Sequence, residues 1–142
     1  MYRTIYATKD FTFDAAHYLT NYEGKCKNLH GHTYRLSITL SKKFDTDLFS
    51  ISTVLDRKAE DYMVIDFGEL SRIVEECILS KYDHADLNSF LPITTAEYMV
   101  VDIFNTLSLY FKEVGCEEKL YSVKLWETGT CYVEYKGEEN YV

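Results

Sequence analysis

Apolar side chains recur at every second position along FTFDAAHYL, so Phe11, Phe13, Ala15 and then His17 share one face of a predicted strand. The same alternation in HGHTYRLSITLSK puts His30, His32, Tyr34, Leu36, Ile38 and Leu40 on one face, with Arg35, Ser37, Thr39 and Ser41 on the other. A polar loop, YLTNYEGKCKNL, joins the two. The charged stretch from Phe44 to Tyr62 has no clean period and reads as a loop or an irregular strand pair. In IDFGELSRIVEECILSKYD the period becomes that of an amphipathic helix. Leu70, Ile73, Val74, Cys77 and Ile78 form its inner face, and Asp66, followed three residues later by Glu69, marks its start. A second helix is expected over TTAEYMVVDIFNTLSLYFKEVG, with Val101, Phe104, Leu107 and Phe111 turned to the core and Gly115 near its end. LYSVKLWE and CYVEYK alternate again and read as a hairpin through Thr128-Gly129-Thr130. The order ββααββ predicts an α+β fold: a four-stranded antiparallel sheet with two helices between its second and third strands, covering one face.

The ends of these rows are chemically odd. Both amino-terminal rows finish in histidine. In the last hairpin Tyr121, Val123, Leu125 and Glu127 share a face, so a carboxylate closes an apolar row. An ionised Glu there is costly unless a positive or hydrogen-bond-donating group meets it.

Composition narrows the classes. A chain of 142 residues with 46% hydrophobic content suits one core, and with one Pro, six Gly and no linker, repeat or low-complexity tract, residues 1–142 read as a single domain. No run approaches the roughly 20 apolar residues of a membrane span, and no signal-peptide pattern opens the chain, so a soluble, cytoplasmic protein is expected. The net charge of -8 disfavours a nucleic-acid partner. Cys26, Cys77, Cys116 and Cys131 are scattered without a CxxC pair, against a disulfide framework or a four-thiolate zinc site. The 13 Tyr and eight Phe are compatible with self-association.

His17, His30 and His32 converge if the first two strands pair, and three neutral imidazoles with one open position suit a catalytic zinc ion. His-x-His on a strand sends both rings to one face about 7 Å apart at the backbone. Alone the motif is weak, because ordinary hairpins also contain it. Cys26 lies between Lys25 and Lys27, whose charges favour a thiolate, although a small loop residue is the bland alternative. Asp83-His84 follows a helix end, where turn hydrogen bonds compete with an acid/base role. Glu127 needs either a structural cation or a ligand.

FDAAHYL, KCKNLHGHTY, MVIDFGEL, YDHADLN, TTAEYMV and WETGTC together resemble, in order and spacing, the 6-pyruvoyltetrahydropterin synthase / 6-carboxytetrahydropterin synthase family, from about Phe11 to Cys131. The resemblance implies the tunnelling fold, in which three subunits join their sheets into a barrel and two trimers stack into a hexamer. It implies that His17, His30 and His32 bind Zn2+, that Cys26, Asp83 and His84 transfer protons, and that Glu127 anchors the guanidine-like edge of a pterin. Glu97 matches a further signature position, read here as a helix-start residue with a supporting role. The Cys four residues before the first His of HGH is the pattern of the carboxy branch, which serves 7-deazaguanine (queuosine precursor) synthesis. The implied reaction is a zinc-dependent lyase step: 7,8-dihydroneopterin triphosphate and water give 6-carboxy-5,6,7,8-tetrahydropterin, acetaldehyde and triphosphate. The pyruvoyl reaction on the same fold and a noncatalytic pterin- or zinc-binding relative are the alternatives. A cupin-like barrel would want a Glu soon after the second His, and HTYRLSI has none. Lys25, Lys27 and Arg35 are within the motif region as possible triphosphate contacts, without assignment. Tyr98, where many members have Asn, and the long stretch before MVIDF depart from the family pattern.

Overall fold

The computed structural model describes residues 1–141. Strands β1 (Tyr2–His17) and β2 (His30–Asp45) pair antiparallel along their whole length. The amino-terminal half of β1 extends well before Phe11. Its residues are largely exposed on both faces, so burial imposes no period on them.

The charged stretch after β2 forms helical turns, not a strand pair. A 3-10 turn (Thr46–Phe49), the short helix α1 (Ile51–Val54) and a second 3-10 turn (Ala59–Tyr62) follow in sequence. Local bonds such as Ser50 N–H to Asp47 O at 3.1 Å occupy backbone groups that a strand would offer to a neighbour.

Helix α2 (Phe67–Val74) passes through a π turn (Glu75–Leu79) into α3 (Ser80–Tyr82). Asp66 caps α2 by accepting the Glu69 N–H at 3.1 Å. Leu70, Ile73, Val74 and Ile78 are buried and Cys77 is partly so. The π turn shifts the helix phase by one residue, and beyond it Tyr82 is fully buried with its hydroxyl donating to Asp102.

The chain then forms a strand absent from the four-stranded expectation. β3 (Ala85–Asp86) pairs parallel with Ala15 and Ala16, so the sheet has five strands in the order β3-β1-β2-β4-β5. Two residues are too few to show a period. His84 sets the strand in place: it adopts the left-handed φ of 59°, and its backbone N–H donates to Asp14 O at 2.6 Å.

Helix α4 (Ala96–Glu113) is capped at its start by Thr95, whose hydroxyl accepts from Tyr98 N–H at 3.2 Å. It ends in a Schellman motif, with Cys116 N–H bonded to Phe111 O, Gly115 N–H bonded to Lys112 O, and Gly115 at φ 78°. Phe104, Leu107 and Phe111 face the core, but Val101 does not. It is 36% exposed, and Val100 takes the inner position because the stripe through Met99, Ile103 and Phe104 runs on that side. β4 (Leu120–Thr128) and β5 (Cys131–Tyr135) close the sheet as a hairpin. One cluster of buried side chains joins the helices to one sheet face, and each buried Leu, Ile or Val contributes about 1.5–3 kcal/mol. No helix among the described residues is long and apolar enough to cross a membrane.

Candidate active site

The register of β1 and β2 assembles the histidines. His17 lies directly opposite His30, and His32 lies opposite Ala15, so all three rings project from the core face at one end of the ladder. Their ligand atoms lie within 4.8 Å of one another. His17 is buried, and its Nδ1 is 2.8 Å from the carbonyl of Thr94. His30 Nδ1 is 2.7 Å from the carbonyl of Asn28. A carbonyl only accepts, so each Nδ1 carries the proton and each Nε2 presents a lone pair.

The two Nε2 atoms stand 3.1 Å apart. Two lone pairs facing one another at that distance repel, and a cation between them converts the repulsion into coordination. A tetrahedral zinc with bonds of about 2.0–2.1 Å sets its ligand nitrogens roughly 3.3 Å apart, near the observed separation. The third ring has a buried Nε2 without a hydrogen-bond partner. Carbonyl-fixed tautomers, converging lone pairs and one orphaned nitrogen therefore fit a zinc ion. Burial lowers the His32 pKa, Glu127 opposes that effect, and His17 and His30 add to it, so the neutral, metal-binding form is favoured.

Glu127 reaches this cluster from β4. Its Oε1 is 3.3 Å from His32 Nε2, within ion-pair distance but without hydrogen-bond alignment. The carboxylate also borders a cavity of about 240 Å3, shared with Glu97 from the first turn of α4 and Cys131 from β5. Glu97 is thus a wall of the same cavity as well as a helix-start residue, in keeping with the signature position it occupies in TTAE. Hydrogen bonds from Thr130 and Thr128 lower the pKa of the exposed Cys131 thiol, and Glu127 opposes them.

Asp83 and His84 form a separate group on the other side of β1. His84 Nδ1 is 3.0 Å from Asp83 Oδ1, which also accepts the backbone N–H of Asp14 at 3.1 Å. That N–H is the first cause of the lowered Asp83 pKa, and His84 adds to it. Asp14 accepts in turn from the Thr33 hydroxyl at 2.5 Å. Asp14 and Thr33 escaped sequence reasoning because they occupy the polar face of β1 and β2, where such residues are ordinary. A cavity of about 460 Å3 is bordered by both His32 and His84, which connects the two groups through space.

Cys26 joins neither group. It lies in a 3-10 turn (Lys25–Lys27), tied down by Leu19 N–H bonding to its carbonyl at 2.8 Å. Among the described residues, the clusters of metal-binding type are His17-His30-His32 and Asp14-Asp83-His84.

The 6-pyruvoyl tetrahydropterin synthase family matches the chain over residues 6–138. The chain belongs to that family. The 6-carboxy-5,6,7,8-tetrahydropterin synthase of Haemophilus influenzae is 37% identical over 91% of this chain and 96% of its own length. Human 6-pyruvoyl tetrahydrobiopterin synthase is 31% identical over 81% of this chain and 72% of its own. The structure of Caenorhabditis elegans 6-pyruvoyl tetrahydropterin synthase superposes with a TM-score of 0.74 at 23% identity, covering 96% of this chain and 97% of that one, and establishes the shared α+β fold. The tetrahydropterin synthase family thus has members of both the carboxy and the pyruvoyl name among this chain's relatives.

Proposed function

We propose that this chain is a single-domain, zinc-dependent 6-carboxy-5,6,7,8-tetrahydropterin synthase. It converts 7,8-dihydroneopterin triphosphate and water to 6-carboxy-5,6,7,8-tetrahydropterin, acetaldehyde and triphosphate, supplying cytoplasmic 7-deazaguanine (queuosine precursor) synthesis. The observation that carries this reading is the facing pair of histidine nitrogens beside a half-buried carboxylate, in a chain whose relatives bear that name. Zn2+ held by His17, His30 and His32 would act as a Lewis acid on the substrate's side-chain oxygens, making the adjoining C–H bonds more acidic.

The remaining roles fall to the chain's own groups. Glu127 accepts two parallel hydrogen bonds from the ring N–H and amino group of the pterin, a bidentate match that orients the ring. Cys26, as thiolate, removes a proton from the substrate side chain. His84, oriented by Asp83, carries the proton on the opposite side. Moving protons from side chain to ring reduces the ring and oxidises the side chain within one molecule, so no nicotinamide or flavin is required.

Cys26 stands apart from both clusters within one chain, and the site is read as completed by neighbouring copies in a hexamer of two stacked trimers. The sheet supports this reading: β3 covers only Ala15 and Ala16 of β1, so the edge of β1 before them carries no strand, and β5 forms the opposite edge. Joining such edges between copies removes both. Incubating the zinc-loaded protein with dihydroneopterin triphosphate and weighing the product by mass spectrometry tests the reading. A carboxytetrahydropterin with acetaldehyde is expected. A pyruvoyl product would move the chain to the other branch, and unchanged substrate would sink the enzymatic reading.

A further inference from the structure

The ring of Tyr34 is fully buried, at 0% exposure, and its hydroxyl has no hydrogen-bond partner. Native interiors pair nearly all such atoms. The ring stacks on Phe13 with centroids 4.9 Å apart and meets His32 edge-on at 5.5 Å. A phenylalanine would keep each of those contacts, so packing gives no reason for the oxygen.

The ladder shows what lies near it. Arg35 and Trp126 are opposite one another, as are Leu36 and Leu125, so the next inner pair toward the histidines is Tyr34 with Glu127. Burial raises the pKa of the phenol, and the charge of Glu127 adds to that. The Glu127 carboxylate also lies 3.3 Å from His32 Nε2 without alignment. With His32 Nε2 turned to the metal position, the phenol is the buried donor still without a partner beside this acceptor-only carboxylate.

We propose that Tyr34 is a positioning residue of the substrate pocket, its hydroxyl donating to the Glu127 carboxylate when Glu127 holds the donor edge of a flat heterocycle. The inference rests on the pterin reading of Glu127. An ionised carboxylate offers about four lone-pair sites. A ring N–H and an amino group use one on each oxygen, which leaves a site for the phenol O–H. That third bond fixes the plane of the carboxylate, and with it the tilt of the ring relative to the histidines.

The test compares zinc-loaded wild-type and Tyr34→Phe proteins by calorimetric titration with neopterin, an oxidised pterin without the triphosphate. The variant should bind neopterin about 10-fold or more weakly, the scale of one lost hydrogen bond to a charged group. Its zinc content should be unchanged and its Tm equal or higher, because the hydroxyl has no partner in the free protein. In the Glu127→Gln background the same substitution should cost much less, since the two groups act as a pair. Equal neopterin affinity in wild type and Tyr34→Phe overturns the proposal. So does a variant that loses zinc or melts lower, which would make the hydroxyl structural, or an undiminished effect in Glu127→Gln. Failure of the wild type itself to bind neopterin would instead remove the pterin reading on which the inference stands.

Discussion

The histidine cluster and the Asp83-His84 pair stand on opposite sides of one strand and are built in opposite ways. The histidines are held by sixteen residues of continuous ladder, by burial, and by two backbone carbonyls that fix the rings of His17 and His30. Asp83 and His84 sit on a turn after a helix, with the His84 side chain 79% exposed and the backbone of Asp14 as their main anchor. Metal coordination needs rigidity that a double strand provides before any ion arrives. The proton-transfer role proposed for Asp83 and His84 needs access, and groups left at the surface are free to be closed over by substrate. Cys26, half-buried in a tied-down 3-10 turn, belongs to neither group.

Three substitutions press on this contrast. His30→Ala should have the largest effect: zinc read by elemental analysis, expected at about one per chain in the wild type, should fall to near zero. Turnover should drop by more than about 10^3-fold, beyond the 10–100-fold typical of losing a group that merely supports a ligand. Cys26→Ala should keep its zinc and lose about 10^2–10^4-fold in turnover, the range for a removed general base. Full turnover in that variant would mean the thiol is not the base, and lost zinc would mean that the two halves are one structural unit.

The smallest effect concerns acid stability. The Asp83 pKa is lowered from 3.8 chiefly by the Asp14 N–H, so the folded state holds the charged form more firmly than the unfolded chain does. That contribution is complete above pH 3.8 and disappears as the pH falls through the lower folded value. Asp83→Asn should therefore flatten the acid limb of the unfolding curve below that pH while leaving zinc content unchanged. A limb identical to wild type would show that the pair is not anchored through Asp14.

Much of this molecule could be read from residue order. The alternation of Phe11, Phe13, Ala15 and His17 and of His30 through Leu40 is a burial pattern, and burial of one sheet face specifies register, so the three histidines were found together. Glu127 was legible for the same reason: a charge closing an apolar row has to be answered by something. What remained hidden shares a different cause. Thr94 and Asn28 act through carbonyls that every residue possesses, Val100 displaced Val101 by a rotation that spacing alone does not fix, and β3 is too short to carry a pattern.

The sequence by itself thus determined four of the five strands, the two main helices and most of the residues that face the core, because period and hydrophobicity act locally along the chain. Only the tertiary structure decided that two Nε2 atoms meet at 3.1 Å, that His84 turns left-handed onto Asp14, and that Tyr34 and Glu127 become neighbours. Those are contacts between residues from 13 to more than 90 positions apart, and their geometry follows from how sheet and helices close on one core.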